Sequence, residues 1–143
     1  MSLRPAVRVL GILLLLLSFS MGVVFLWNAY EVYTVGSKAH YEVLYATCSA
    51  ILIGLGISSF MILWGSNQYD LLGKRESFFI VSCGWFLGGA IGALPFYFWA
   101  IMSDSLDHEF ASYVNCFFET VSGLSTTGAS ILSNIPDLPR GLL

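Results

Sequence analysis

One stretch decides the predicted fold: Tyr113-Val114-Asn115-Cys116-Phe117-Phe118-Glu119-Thr120-Val121-Ser122-Gly123-Leu124-Ser125-Thr126-Thr127-Gly128-Ala129-Ser130. Apolar residues recur in it at helical spacing from Phe110 to Leu124, but polar side chains interrupt them. The run is too polar and too short to cross a bilayer core of about 30 Å. The pattern therefore predicts a re-entrant half-helix over residues 110–124.

After Gly123 the helical periodicity stops, and residues 125–130 are small hydroxyl residues, a glycine and an alanine. Irregular backbone at membrane depth is tolerated only where it is buried in protein or lines a watery path. The segment is thus predicted to turn carbonyl groups toward a permeating species, and a dehydrated cation fits best. In potassium channels a Thr-Val-Gly-Tyr-Gly loop replaces the hydration shell of the ion in this way, and Thr126-Thr127-Gly128 is a degenerate version of that loop.

The composition is that of an integral membrane protein surrounded by a lipid bilayer. The chain has 143 residues, 57% hydrophobic and 10% charged, whereas soluble domains carry about 25% charged residues. A net charge of −3 and scattered basic residues argue against a nucleic-acid partner. Cys48, Cys83 and Cys116 lack metal-site spacing and are interpreted as small buried hydrophobic residues.

Three uncharged runs are long enough to span a membrane: Val9–Tyr30, Val43–Tyr69 and Ser77–Ser103. The polar segment Asn28–Glu42 is predicted to be a connecting loop. His40 in it is interpreted as a solvated side chain, with a pH sensor or metal ligand as the alternative.

Small residues predict close helix packing in the second and third runs. The third run carries two overlapping GxxxG frames, formed by Gly84, Gly88 and Gly92, and Pro95 is expected to bend it. The second run offers a small-residue face made of Gly54, Gly56, Ser58 and Ser59.

The basic residues predict a cytoplasmic N-terminus. Arg4 and Arg8 precede the first run and residues 74–75 separate the second from the third, whereas the first loop holds only Lys38. The half-helix then enters from outside, and its partly negative C-terminal end favours a cation. The preceding segment, with Asp104, Asp107, His108 and Glu109, is either a solvated loop or a cluster that concentrates cations at a pore mouth.

Residues 117–130, followed by Ile135-Pro136-Asp137-Leu138-Pro139, resemble the first pore loop of the TrkH-type membrane subunits of the Trk/Ktr/HKT potassium transporters. The Phe-Phe-Glu-x-x-Ser-Gly lead-in makes the match specific. The region from Trp85 to Phe96 also resembles the first pore-flanking helix of that family.

The resemblance implies potassium uptake, with the potassium ion as substrate and no covalently bound cofactor. It implies a selectivity filter made of Ser125, Thr126, Thr127, Gly128 and Ala129, with the ion at Thr126, Thr127 and Gly128. Glu119 and Gly123 are assigned to filter support. Two roles stay open for Glu119: it acts on the ion directly, or it holds the filter by hydrogen bonds as part of the scaffold.

The predicted fold is an all-α membrane protein. Residues 1–70 form an N-terminal two-helix region, and residues 71–143 form a first pore repeat without its second helix. The segment Ile135–Arg140 contains two prolines and is expected to be extended. Because family members have four such repeats in one chain, the implied partners are the remaining repeats, a second full-length subunit in a homodimer, and a cytosolic nucleotide-binding regulator, at the cell (inner) membrane.

The sequence contains no paired nucleophile and base, no metal cluster and no phosphate-binding loop, so it is not expected to be an enzyme. The alternative hypothesis is a small helical membrane protein that acts as a structural or regulatory partner through its GxxxG face. Three further pore loops in a continuing reading frame would decide for the transporter.

Overall fold

A computed structural model describes residues 3–65, 72–103, 109–132 and 142. The described residues form four α-helices: α1 (Leu3–Val35), α2 (Lys38–Trp64), α3 (Lys74–Met102) and α4 (Tyr113–Leu124). A short 3-10 turn over Glu109–Ala111 precedes α4. Within these residues α1, α2 and α3 are long and apolar enough to cross a membrane. The protein is therefore an all-α, multi-pass integral membrane protein.

The junction between α1 and α2 differs from the predicted loop over Asn28–Glu42. α1 continues to Val35 and α2 begins at Lys38, so only two residues connect them. Gly36 has φ +60°, the left-handed conformation with which glycine commonly ends a helix. The loop prediction was wrong because residues 28–35 are polar in places but contain no glycine or proline to interrupt the helix.

Polar side chains join these two helices near the turn that connects them. Asn28 is buried in α1, and its Nδ2 lies 3.4 Å from Thr47 Oγ1 in α2. His40 is partly buried, with Nδ1 hydrogen-bonded to Ser37 and Nε2 at 3.8 Å from Glu31 Oε2. His40 is thus a contact within the helical hairpin, and its interpretation as a solvated loop residue was wrong.

Only two of the four small residues predicted to form a packing face on α2 are buried. Gly54 and Ser58 are buried, and a Cβ on Gly54 would collide with Ser18 of α1. Gly56 and Ser59 are exposed instead. The division follows from helix geometry, since residues four apart share a face and residues one or two apart do not.

α3 begins where the backbone N–H of Gly73 donates to Glu76 Oε2 at 3.1 Å, and it continues through Pro95 to Met102. Its C-terminal half joins the main buried cluster, which also takes in the beginning of α2 and the approach to α4. The buried members are Val43, Ala46, Ala93, Trp99, Ala100, Phe110 and Cys116. This cluster fixes the point at which the chain turns from α3 into α4.

The tightest contact of α3 is with α4 and uses glycines three residues apart. A Cβ on Gly92 would lie 2.6 Å from Thr120 Cγ2, and one on Gly89 would lie 2.7 Å from Val121 Cγ2. Gly84 and Gly88, the rest of the predicted GxxxG frames, leave ordinary spacing of 3.7 Å or more to their neighbours. The glycine-rich face therefore packs mainly against the chain's own half-helix.

This packing gives a stability prediction. Gly92→Ala should lower the free energy of unfolding by about 1–3 kcal/mol, because overpacking a tight contact costs that much. Adding Thr120→Ser removes the methyl group that the new Cβ would meet and should restore most of the loss. The measurement is the thermal unfolding of the purified chain in detergent.

Gly56→Ala is the control, because nothing lies within 4 Å of a Cβ at that position. Equal destabilisation by Gly92→Ala and Gly56→Ala would contradict the proposed tight contact.

Candidate functional site

α4 runs back along α3 and stops halfway. The rings of Phe110 and Phe96 lie 5.0 Å apart, and the hydroxyl of Tyr113 donates to the carbonyl of Ala90 at 2.7 Å. At the other end, Leu124 is adjacent to Gly88, the middle residue of α3. With 12 residues, α4 is about 18 Å long. It is the half-helix that the sequence predicted, although its α-helical part begins at Tyr113 rather than Phe110.

After α4 the chain reverses and returns along the same helix. The hydroxyl of Ser122 donates to the carbonyl of Ala129 at 2.6 Å, and the N–H of Ile131 donates to Glu119 Oε2 at 3.2 Å. The later loop residue, Ile131, contacts the earlier helix residue, Glu119, so the returning loop runs antiparallel to α4. Leu132 then reaches the main buried cluster. Residues 125–131 thus form a re-entrant loop whose turn lies at mid-depth of α3.

The N–H groups at the turn point back into the end of α4. Those of Ser125, Thr126 and Thr127 donate to the carbonyls of residues 121, 123 and 122 at 2.9, 3.1 and 3.0 Å. In a trans peptide the C=O group points opposite to the N–H group. The carbonyls of Leu124, Ser125 and Thr126 are therefore directed away from the helix end.

Two residues of the turn have left-handed backbone, Thr126 with φ 57° and Gly128 with φ 70°. For a residue with a Cβ this conformation costs roughly 1–2 kcal/mol, and such strain is commonly found at functional sites. A Cβ on Gly128 would have nothing within 4 Å. Backbone handedness, rather than lack of space, is therefore the reason for glycine at this position.

The carbonyl oxygens of Ser125, Thr126, Thr127 and Gly128 accept no hydrogen bond within the described part of the chain. The carbonyl of Ala129 differs, because one of its lone pairs is taken by Ser122. Residues 123–130 are all exposed in the isolated chain. A run of unbonded carbonyls on a polar loop is an arrangement that can replace water around a cation.

The structure brings the predicted site residues together at the end of α4, but it distinguishes among them. Glu119 Oε2 accepts a hydrogen bond from the backbone N–H of Ile131 in the returning loop. Gly123 has neither a left-handed φ nor a close neighbour, so nothing in the described structure explains a glycine there. The hydroxyls of Ser125 and Thr127 hydrogen-bond each other at 2.8 Å.

Sequence reasoning missed Ser122, which is buried and bonds the loop through both its carbonyl and its hydroxyl. The available signal was its position in the last turn of a half-helix, immediately before the periodicity stops. The predicted acidic segment 104–108 and the extended segment 135–140 lie outside the described residues. Within the described residues, no group of three or more His, Cys, Asp or Glu could hold a metal ion.

Comparison with known proteins finds relatives by sequence. The chain is 34% identical to the Trk system potassium uptake protein TrkH of Salmonella typhimurium and of Escherichia coli K12, in each case over 148 aligned positions that cover 100% of this chain and 26% of the relative. The chain is similar in sequence to these TrkH proteins along its whole length. It spans about a quarter of the length of these TrkH proteins.

The similarity extends to the Trk system potassium uptake protein TrkG of Escherichia coli K12, which is 33% identical over 73 residues, 50% of this chain and 13% of TrkG. No protein-family model matches the chain, and no solved structure matches it significantly. The TrkH resemblance predicted from residues 117–130 is confirmed. These relatives are named as uptake proteins and do not favour the alternative of a structural partner protein.

The hydrogen bond between Glu119 and the loop predicts that the acceptor oxygen of Glu119, rather than its charge, stabilises the loop. Glu119→Ala should accelerate hydrogen–deuterium exchange of residues 125–132 in the membrane-inserted chain, because it removes the acceptor of a hydrogen bond, and such a bond contributes about 0.5–1.5 kcal/mol. Glu119→Gln should change it much less, since the amide oxygen can still accept from the Ile131 N–H. Equal acceleration by both substitutions would mean that the charge, and not this hydrogen bond, holds the loop.

Proposed function

We propose that this chain takes part in potassium uptake across a cell membrane, as the portion of a TrkH-type subunit that carries its first pore loop. The observation that carries the proposal is the re-entrant loop at mid-depth. Its backbone is left-handed at Thr126 and Gly128, and its carbonyls from Ser125 to Gly128 accept no hydrogen bond from the residues that the structure describes. The similarity to TrkH proteins along the whole chain supports it. The potassium ion is the transported substrate.

In this proposal the carbonyls of Ser125, Thr126, Thr127 and Gly128 replace part of the hydration shell of the ion, which is bound at Thr126, Thr127 and Gly128. Ala129 is the last residue of the proposed filter, and its carbonyl oxygen, which accepts one hydrogen bond from Ser122, has a second lone pair for the ion. Glu119 supports the loop from α4, and Gly123 provides the last turn before it. The partly negative C-terminal end of α4 adds a favourable potential for a cation.

The exposed backbone of the loop must be covered by protein or water in the membrane. Polar backbone at membrane depth cannot face lipid, yet residues 123–130 are exposed in the isolated chain. We assign the covering surface to the remaining repeats of the same transporter. Residues 1–70 are then a two-helix region beside the first pore repeat at 71–143. A homodimer of the full-length subunit with a cytosolic nucleotide-binding regulator follows from the family resemblance, as does a non-enzymatic role.

The distribution of basic residues supports a cytoplasmic N-terminus in the cell (inner) membrane. Arg4, Lys74 and Arg75 are exposed at the ends of α1 and α3 that this orientation places inside. Lys38, at the opposite end of the bundle, pairs with Glu42 at 3.5 Å and is 93% exposed.

The transport proposal is tested with a chimera in which residues 1–143 replace the aligned segment of Escherichia coli TrkH. The chimera should restore growth of a potassium-uptake-deficient host at low potassium. In it, Gly128→Ala should lower the preference for potassium over sodium by about tenfold, because a Cβ in left-handed backbone costs roughly 1–2 kcal/mol. The measurement is the competition of sodium with rubidium uptake.

The matched control is Gly123→Ala, which changes a glycine of the same loop region without left-handed backbone and should have a much smaller effect. Equal effects at the two glycines, at equal membrane expression, would remove the main support for a filter at Thr126–Gly128.

The orientation is tested with single cysteines in a chain without its native cysteines. Lys38→Cys should react with a membrane-impermeant thiol reagent applied from outside, and Lys74→Cys should react only after the membrane is opened. Both side chains are exposed, so accessibility within the protein does not bias the comparison. Labelling of Lys74→Cys alone in intact cells would reverse the proposed topology.

A further inference from the structure

Ser122 contacts the loop on both sides of Gly128. Its carbonyl accepts a hydrogen bond from the N–H of Thr127 at 3.0 Å, and its hydroxyl donates to the carbonyl of Ala129 at 2.6 Å. One residue of α4 therefore bonds both neighbours of the left-handed glycine.

These two bonds fix two peptide planes. The Thr127 N–H belongs to the peptide that carries the Thr126 carbonyl, and the Ala129 carbonyl belongs to the peptide that carries the Ser130 N–H. Because each peptide is planar, holding one group sets the direction of the other. The two peptides that lie between these planes carry the carbonyls of Thr127 and Gly128. The directions of these carbonyls are thereby restricted to what the backbone dihedrals of residues 127–129 allow.

The hydroxyl of Ser122 is used differently from the hydroxyls of other Ser and Thr residues in the helices. Ser18, Thr47 and Thr120 donate to carbonyls four residues back in their own helices, a common bond for helical Ser and Thr. Ser122 donates seven residues forward, across the loop. This hydroxyl therefore serves the loop rather than the helix.

Ser122 has a rigid base for this role. Its side chain is 6% exposed, and its helix is docked on Gly89 and Gly92 of α3 through the neighbouring residues Thr120 and Val121. Glu119, one turn earlier, adds a second point of attachment at Ile131. In an extended segment the Ala129 C=O and the Ile131 N–H point to the same side, so both bonds hold one edge of the returning chain.

We propose that Ser122 is a positioning residue for ion selectivity, clamping the filter backbone around Gly128 so that the Thr127 and Gly128 carbonyls keep one orientation. The proposal rests on the potassium-uptake function proposed above and deepens it. The residue does not contact the ion and acts only through the peptides that it holds.

The first test is made in the TrkH chimera. Ser122→Ala should lower the preference for potassium over sodium by about two- to tenfold, the range expected for one lost hydrogen bond, at unchanged membrane expression. Thr120→Val is the matched control, because it removes a hydroxyl bonded within α4 but keeps the methyl group that contacts Gly92. Its preference should stay at the wild-type value.

The second test does not depend on transport. In the 143-residue chain inserted in lipid nanodiscs, Ser122→Ala should accelerate hydrogen–deuterium exchange of residues 125–132 and leave residues 113–124 unchanged. Thr120→Val should not accelerate exchange of the loop. If the chimera fails to transport, the potassium proposal fails, while this measurement still decides whether the clamp exists.

Unchanged loop exchange in Ser122→Ala would overturn the clamp. Faster loop exchange with an unchanged ion preference would overturn its role in selectivity. Equal changes in Ser122→Ala and Thr120→Val would show a general effect of losing a hydroxyl from α4, and would overturn the assignment to Ser122.

Discussion

A helix that stops halfway across a membrane leaves backbone groups at a depth where neither lipid nor bulk water can bond them. α4 ends beside Gly88, the middle of α3, and therefore creates this problem. The chain resolves it by turning the N–H groups of residues 125–127 back into the end of the helix. The carbonyl ends of those peptides are directed away from the helix and accept no hydrogen bond within the described residues.

The position of that loop depends on how closely α4 approaches α3. Gly89 and Gly92 allow Val121 and Thr120 to pack where a Cβ would not fit. The buried cluster around Phe110 and Trp99 fixes the other end of α4. Since both ends are held by packing against a spanning helix, the depth of the loop is determined by tertiary contacts and not by its own short sequence.

The α1–α2 hairpin supplies the support behind α3. Its helices are joined by only two residues. Near this junction Asn28 lies close to Thr47, and Glu31 lies close to His40. In hydrocarbon such groups are costly unless they are paired. The hydrogen bond between Asn28 and Thr47 shows how a polar side chain can continue a membrane helix where polarity alone suggested a loop.

The sequence by itself determined the spanning helices, the half-helix and the place along the chain where the loop begins, because length, hydropathy and a break in periodicity are local properties. It also contained the glycine at position 128, which local backbone handedness requires. Only the tertiary structure decided which small residues pack, separating Gly54 and Ser58 from Gly56 and Ser59, and which hydroxyl holds the loop. The physical reason is that Ser122 and Ala129, or Gly92 and Thr120, meet only after the chain has reversed direction, and no local pattern encodes a distance between segments that run antiparallel.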